Sequence, residues 1–201
     1  MNYHKEYKVT VPEGKSGDWE VKRFTVSEED DKFERMRAVI SFGSRGRFVP
    51  AGTYTSLTRN STMVMSDTPD EIRDHLAPIQ KAKNNCLING LGLGVVLQAM
   101  LEKEEVGHVW VVEISPRVIA LVGNHYQKRY GDRLTIVQAD ALEYKPPKGI
   151  RFSVVWNDIW DNICEDNLPD MKKLHRKYGR CCDWQGSWCR EWIDKNYRNR
   201  W

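Results

Sequence analysis

The rhythm of hydrophobic and polar positions changes near residue 67 and divides the chain. Before that point, residues 7–11 and 19–26 are short β-prone stretches separated by the breakers Pro12-Glu13-Gly14 and Ser16-Gly17, a pattern that predicts strand, turn, strand. Ser27, three residues ahead of Asp30 and followed by Phe33, Met36 and Val39, predicts a capped helix. Residues 47–65 alternate again around the polar turn Arg59-Asn60-Ser61. The first 66 residues are therefore expected to form a small β-containing lobe. Thr68 then stands as an N-cap before Pro69, with Asp70 and Glu71 suited to the positive end of a helix dipole. A helix is predicted from there to about Lys81, bent at Pro78.

Beyond residue 82 strands and helices alternate: strand 86–88, helix 95–101, strand 108–112, helix 116–130, strand 134–137 and strand 152–156. Alternation of this length predicts βαβ crossovers, right-handed by default, and a parallel sheet. Residues 167–178 and 183–197 are predicted as helices, and in the second Trp184, Trp188 and Trp192 recur at every fourth position. Burying one such ring is worth on the order of 3 kcal/mol, so the stripe is expected to be covered by the chain's own core or by a second copy in a homo-oligomer, with an aromatic platform for bases or another ligand as the third reading.

Composition narrows the class. A chain of 201 residues with 40% hydrophobic content suits one core with an appendage. The opening residues are polar and carry no apolar run of signal-peptide length, and the later apolar runs are too short to span a bilayer, so a soluble cytoplasmic protein with no membrane partner is expected. Five cysteines without CxxC spacing suit a reducing compartment, and Cys164, Cys181, Cys182 and Cys189 with His175 match no common zinc arrangement; no metal site is expected. Residues 171–201 carry nine Lys/Arg against three Asp/Glu, which makes nucleic acid a candidate partner, although the interleaved tryptophans read as a solvated face over a core.

The chemistry concentrates at predicted strand ends. Gly90-Leu91-Gly92-Leu93-Gly94 follows the first strand of the alternating region, and glycines at that spacing let backbone approach a ligand closely. A dinucleotide fingerprint would need glycine where Val95 stands, so the spacing favours an adenosylmethionine-type nucleoside over a nicotinamide cofactor. Glu113 ends the next strand, where a carboxylate accepts ribose hydroxyl protons. Asp140, with Ala141, follows the third, where an aspartate can reach an adenine amino group. The fourth runs into Asn157-Asp158-Ile159-Trp160-Asp161, which sets two carboxylates and an amide where the reactive centre belongs. Open α/β sheets bind ligands along this edge.

At these residues the chain resembles the spermidine-synthase-like branch of class I S-adenosylmethionine-dependent transferases, in the short form encoded by bacteriophages. Residues 87–95 resemble the branch's nucleoside loop, Val111-Val112-Glu113-Ile114-Ser115-Pro116 its ribose-binding strand end, Asp140-Ala141 its adenine-side motif, and Asp158 with Asp161 its aspartate pair, of which the first is the catalytic base. The resemblance implies a Rossmann-like fold: an N-terminal lobe over 1–66, a nucleoside-binding core over 67–165 and a helical Trp-rich tail over 166–201. It also implies a methyltransferase using S-adenosyl-L-methionine. Gly90, Gly92, Gly94, Glu113, Ile114, Asp140, Ala141 and Asn157 would hold the cofactor, with Asp158 and Asp161 catalytic. Two other readings stand beside it: an aminopropyltransferase using decarboxylated S-adenosylmethionine, and a non-catalytic nucleoside-binding phage protein that contacts a host factor. The synthase loop carries an aspartate where Gly92 stands, which removes an anchor for the aminopropyl ammonium. Only 40 residues follow Asp161, so the sheet is expected to lack the three strands that usually complete such a fold.

Overall fold

The structure, a computed structural model, describes residues 6–30 and 49–197. Its centre is a five-stranded parallel sheet of β5 (Asn84–Asn89), β6 (Val106–Glu113), β7 (Leu134–Gln138), β8 (Phe152–Asn157) and β9 (Cys182–Ser187), ordered β7-β6-β5-β8-β9. The order reverses at β5, which pairs with β6 on one side and β8 on the other. A crevice opens at such a reversal because the crossovers on the two sides leave in opposite directions.

The strands read as continuous apolar runs because both faces are covered. Cys86, Ile88, Val109, Val111 and Val154 join one core with Ile79 of α2 (Leu76–Lys81), Leu97 and Met100 of α3 (Val95–Leu101), and Tyr126 of α5 (Asn124–Tyr130). Leu87, Val112 and Val155 join the other with Leu174 and Tyr178 of α6 (Leu168–Tyr178). The helix predicted over 116–130 is continuous: α4 (Pro116–Val118) passes through a π turn, Ile119–Gly123, into α5. Among the described residues no helix is long and apolar enough to cross a membrane.

The N-terminal lobe is an antiparallel sheet of β1 (Gly14–Ser16), β2 (Trp19–Val26), β3 (Gly52–Arg59) and β4 (Thr62–Ser66), paired in chain order. Residues 7–11, expected as a strand, are part of neither sheet. Their backbone donors find side chains instead: Val9 N–H donates to Asp67 Oδ2 (3.3 Å) and Thr10 N–H to Gln98 Oε1 (3.3 Å). Ser27 and Asp30 make the expected cap, Ser27 Oγ donating to Asp30 Oδ2 (2.7 Å) and accepting from Asp30 N–H (3.1 Å); Phe33, Met36 and Val39 lie outside the described residues.

Two expectations need correction. The helix after Thr68 breaks at His75, between α1 (Pro69–Asp74) and α2, and not at Pro78. Proline acts on the turn preceding it: Pro78 has no N–H for the Asp74 carbonyl and its ring crowds that group. The second correction concerns the tail. Residues 182–187 are strand β9, parallel to β8, and only α7 (Arg190–Tyr197) is helical in the segment predicted as one helix. The tail is thus built into the core sheet through a β8-α6-β9 crossover, and β9 supplies one of the strands expected to be missing. Trp184 sits on the strand and stacks on Trp156 (centroids 6.3 Å apart, 8° between planes). Trp188 lies in the following turn, its Nε1 donating to Asp74 Oδ2 (3.3 Å), and Trp192 on α7 is 51% exposed. The fourfold tryptophan spacing is therefore not a helical stripe.

The two stacked rings close over Gly186, where a Cβ would lie 2.7 Å from Trp184 Cη2 and 2.8 Å from Trp156 Cζ3. Gly186→Val is expected to destabilise the protein by about 1–3 kcal/mol through overpacking, read as a lower urea midpoint. An unchanged midpoint would show that the Trp156–Trp184 stack yields freely.

Candidate functional site

The turn after β5 is built against the end of β8. Gly90 has φ +96°, and a Cβ there would overlap the carbonyl oxygen of Asp158, so only glycine allows the approach. Hydrogen bonds hold both sides: Gly90 N–H donates to Val112 O (2.8 Å) and Asp158 N–H to Asn89 O (2.8 Å). Gly94 lies farther on, in a left-handed conformation at the start of α3 and against the ring of Tyr126.

Glu113, 8% exposed, is held by the same turn. Its Oε2 accepts from Leu91 N–H (2.9 Å) and its Oε1 from Ser115 N–H (2.8 Å), which fixes the carboxylate plane at the β6 end. Ser115 Oγ in turn accepts from Val118 N–H (3.3 Å) at the start of α4. Ile114 is 67% exposed, a large apolar side chain left uncovered beside a carboxylate. At the β7 end, Ala139 N–H donates to Glu113 O (3.1 Å), and Asp140 Oδ1 accepts from Leu142 N–H (2.8 Å).

These ends enclose a cavity of about 1020 Å³. Gly90, Gly92, Glu113, Ile114, Asp140, Ala141, Asp158 and Asp161 all line it. Gly94 and Asn157 are not among its lining residues. Asn157 is fully buried behind the wall, where its Oδ1 accepts from Asn89 Nδ2 (2.7 Å) and its Nδ2 donates to Gly186 O (2.9 Å). It ties the ends of β5, β8 and β9 together.

Asp158 faces the other half of the cavity. Its carboxyl is 16% exposed and stands 3.8 Å from Nε2 of the buried His75. Burial pushes its pKa up to about 8, and the negative charges of Glu71, Asp74 and Glu113 act in the same direction. Asp161 is half-exposed and ion-paired with Arg59 at the end of β3. A second pair, Arg117 with Asp18, joins α4 to the β1–β2 turn, so the antiparallel sheet is fastened on two sides of the cavity.

That sheet supplies the residues sequence reasoning missed. The β3–β4 register pairs Leu57 with Met65 but Thr58 with Met63, so Val64 is an extra residue in a bulge. Met63, Val64 and Met65 consequently all reach the cavity, which a regular strand would not allow. Three consecutive apolar residues in an otherwise alternating strand were the available signal. His75 and Glu71 carried none, since both lie within a short helical segment of ordinary polarity.

No protein-family model and no curated protein sequence matches the chain. Among solved structures, it is similar to a dimethyladenosine transferase from Plasmodium falciparum (20% identity, TM-score 0.39, covering 51% of this chain and 34% of that one). It is also similar to the 23S rRNA methyltransferase ErmE (15%, TM-score 0.48, 64% and 49%) and to an S-adenosylmethionine-dependent methyltransferase from Clostridium acetobutylicum (13%, TM-score 0.42, 57% and 44%). The chain thus spans a third to a half of the length of these proteins.

The Gly90 approach has a built-in control at Gly149, whose φ is also positive (+81°) but beside which a Cβ would meet nothing within 4 Å. Gly149→Ala is expected to cost only the left-handed strain of about 1–2 kcal/mol. Gly90→Ala should lose about 1–3 kcal/mol beyond that through the clash. Urea denaturation of both variants checks it, and equal losses would mean that the turn relaxes away from Asp158.

Proposed function

We propose that the chain is an S-adenosylmethionine-dependent methyltransferase acting on a proton-bearing nucleophile such as an amine. The carrying observation is the placement of two carboxylates on opposite sides of one glycine turn: Glu113 fixed by Leu91 N–H, and Asp158 behind the Gly90 contact. The residues fit the nucleoside. The turn offers a cradle that a Cβ would fill, Glu113 has lone pairs left for ribose hydroxyls, Ile114 presents an uncovered apolar face for adenine, and Asp140 retains Oδ2 for its amino group. Burial first and then the charges of Glu71, Asp74 and Glu113 raise the Asp158 pKa, and a cationic sulfonium beside it would favour the ionised form.

When bound, S-adenosylmethionine supplies an electrophilic methyl group on sulfur. Asp158 takes the proton of the attacking acceptor, and its ionisation is favoured by positive charge nearby. The negative charge of Glu71 disfavours an anionic acceptor on this side, and the rings of Trp19, Trp160 and Trp188 line the same cavity. Asn157 and Asn89 hold the strand ends in place. Asp161, paired with Arg59, is assigned to orienting the antiparallel sheet, with no proton-transfer role. Gly92 puts no carboxylate on the loop for an aminopropyl ammonium, which favours methyl over aminopropyl transfer.

Calorimetry with S-adenosylhomocysteine is expected to show binding, weakened in Glu113→Ala by about 1.5–3 kcal/mol for the lost charge-assisted hydrogen bonds. An unchanged affinity would displace the ribose from β6.

Asp158 is the base only when ionised, and its pKa lies near 8, so transfer from labelled S-adenosylmethionine to amine acceptors should rise with pH through about that value. Asp158→Asn should keep nucleoside binding, lower the rate by about 10²–10⁴-fold and flatten the profile. The same raised pKa gives an independent sign. The folded state holds the proton more tightly than the unfolded chain, so this group's contribution to stability falls as pH rises from the ordinary carboxylate range to about 8. Full turnover in the amide variant would reduce Asp158 to a strand-end cap.

A further inference from the structure

The bulge in β4 aims Met65 at the glycine loop. Leu93 N–H donates to Met65 Sδ at 3.2 Å, and a Cβ on Gly92 would overlap that sulfur, so the thioether rests directly on the second glycine. Leu91 N–H of the loop is held by Glu113, and Asp158 stands on the far side of Gly90. A group attached to a ribose at Glu113 and reaching toward Asp158 therefore passes over Gly90 and Gly92, into the space that Met65 occupies.

A thioether is a poor hydrogen-bond acceptor on a flexible, unbranched side chain. A carboxylate accepts from a peptide N–H about twice as strongly as a neutral group. We propose that Met65 is a displaceable plug that selects the nucleoside by its tail. This inference rests on the nucleoside reading above and deepens it. A tail bearing a carboxylate takes the Leu93 N–H and moves Met65 aside, whereas a nucleoside without a tail leaves the thioether on the loop. Met65 thus sets the affinity difference between the two kinds of ligand without touching the ribose or the base.

The test compares S-adenosylhomocysteine with adenosine by calorimetry on the full chain and on two variants of opposite sign. Met65→Ala removes the plug and is expected to tighten S-adenosylhomocysteine by about three- to tenfold with adenosine unchanged. Met65→Gln keeps the length of the side chain but offers Leu93 an amide oxygen, a stronger acceptor, and is expected to weaken S-adenosylhomocysteine while sparing adenosine. Retained adenosine binding reports that each variant is folded. Parallel changes for both ligands, or no change in either variant, would overturn the plug while leaving the nucleoside reading standing. A native chain that binds neither ligand would overturn both together.

Discussion

The site depends on how closely the turn after β5 approaches the end of β8. Asn89 and Asp158 share a backbone hydrogen bond, and the next residue, Gly90, lies so near the Asp158 carbonyl that no side chain fits. From this contact the rest follows. The turn is brought round so that Leu91 N–H meets Glu113, which orients the β6 carboxylate, and Gly90 N–H meets Val112 O, which locks the turn to β6. The buried Asn89–Asn157 amide pair seals the floor beneath it. Backbone groups make most of these contacts, and Gly90 is the position where a side chain would break them.

What the turn organises is electrostatically costly. Asp158 is little exposed, and that burial, with the charges of Glu71, Asp74 and Glu113 acting in the same direction, makes it hold its proton to about pH 8. Burial is the main cause of that raised pKa and the like charges add to it, whereas a cation beside Asp158 acts in the opposite sense and favours its ionised form.

Much of the parallel core was legible because its signals are local. The glycine spacing, the Thr68-Pro69 helix start and the uninterrupted apolar strands each reflect a constraint within a few residues, and the strands and helices over 84–138 fall close to their expected limits. The failures share a different cause. Residues 182–187 look helical from tryptophan spacing, yet the unpaired edge of β8 offers a complete set of hydrogen bonds and Gly186 makes room for the rings, so a partner distant in sequence decides the outcome. Residues 7–11 fail in the opposite way, being strand-like in composition with no strand beside them. At the site, the cavity-lining strand-end residues were readable, but Asn157 was drawn inward by Asn89, and neither Met65 nor His75 could be placed before the bulge and the helix break were known.

The antiparallel sheet explains why the two halves of the cavity differed in legibility. Its two ion pairs to the core are exposed, and pairs of that kind contribute only about 0–1 kcal/mol, so they orient the sheet more than they hold it. The holding is apolar: Val11, Val21 and Leu57 are buried in the same cluster as Ile88 and Leu93, and the buried Asp67 binds Thr55 N–H (2.6 Å) and Val9 N–H at the junction. Lobe and parallel sheet therefore share one core. The wall contributed by the parallel sheet is made largely of peptide groups and glycines, whose requirements are written in spacing. The wall contributed by the lobe is made of side chains, Trp19, Arg59 and the Met63–Met65 bulge, whose positions depend on packing across the shared core. On the proposed reading a nucleoside would use the first wall, and what receives the transferred group would be set by the second, the part of the molecule where pattern along the chain says least.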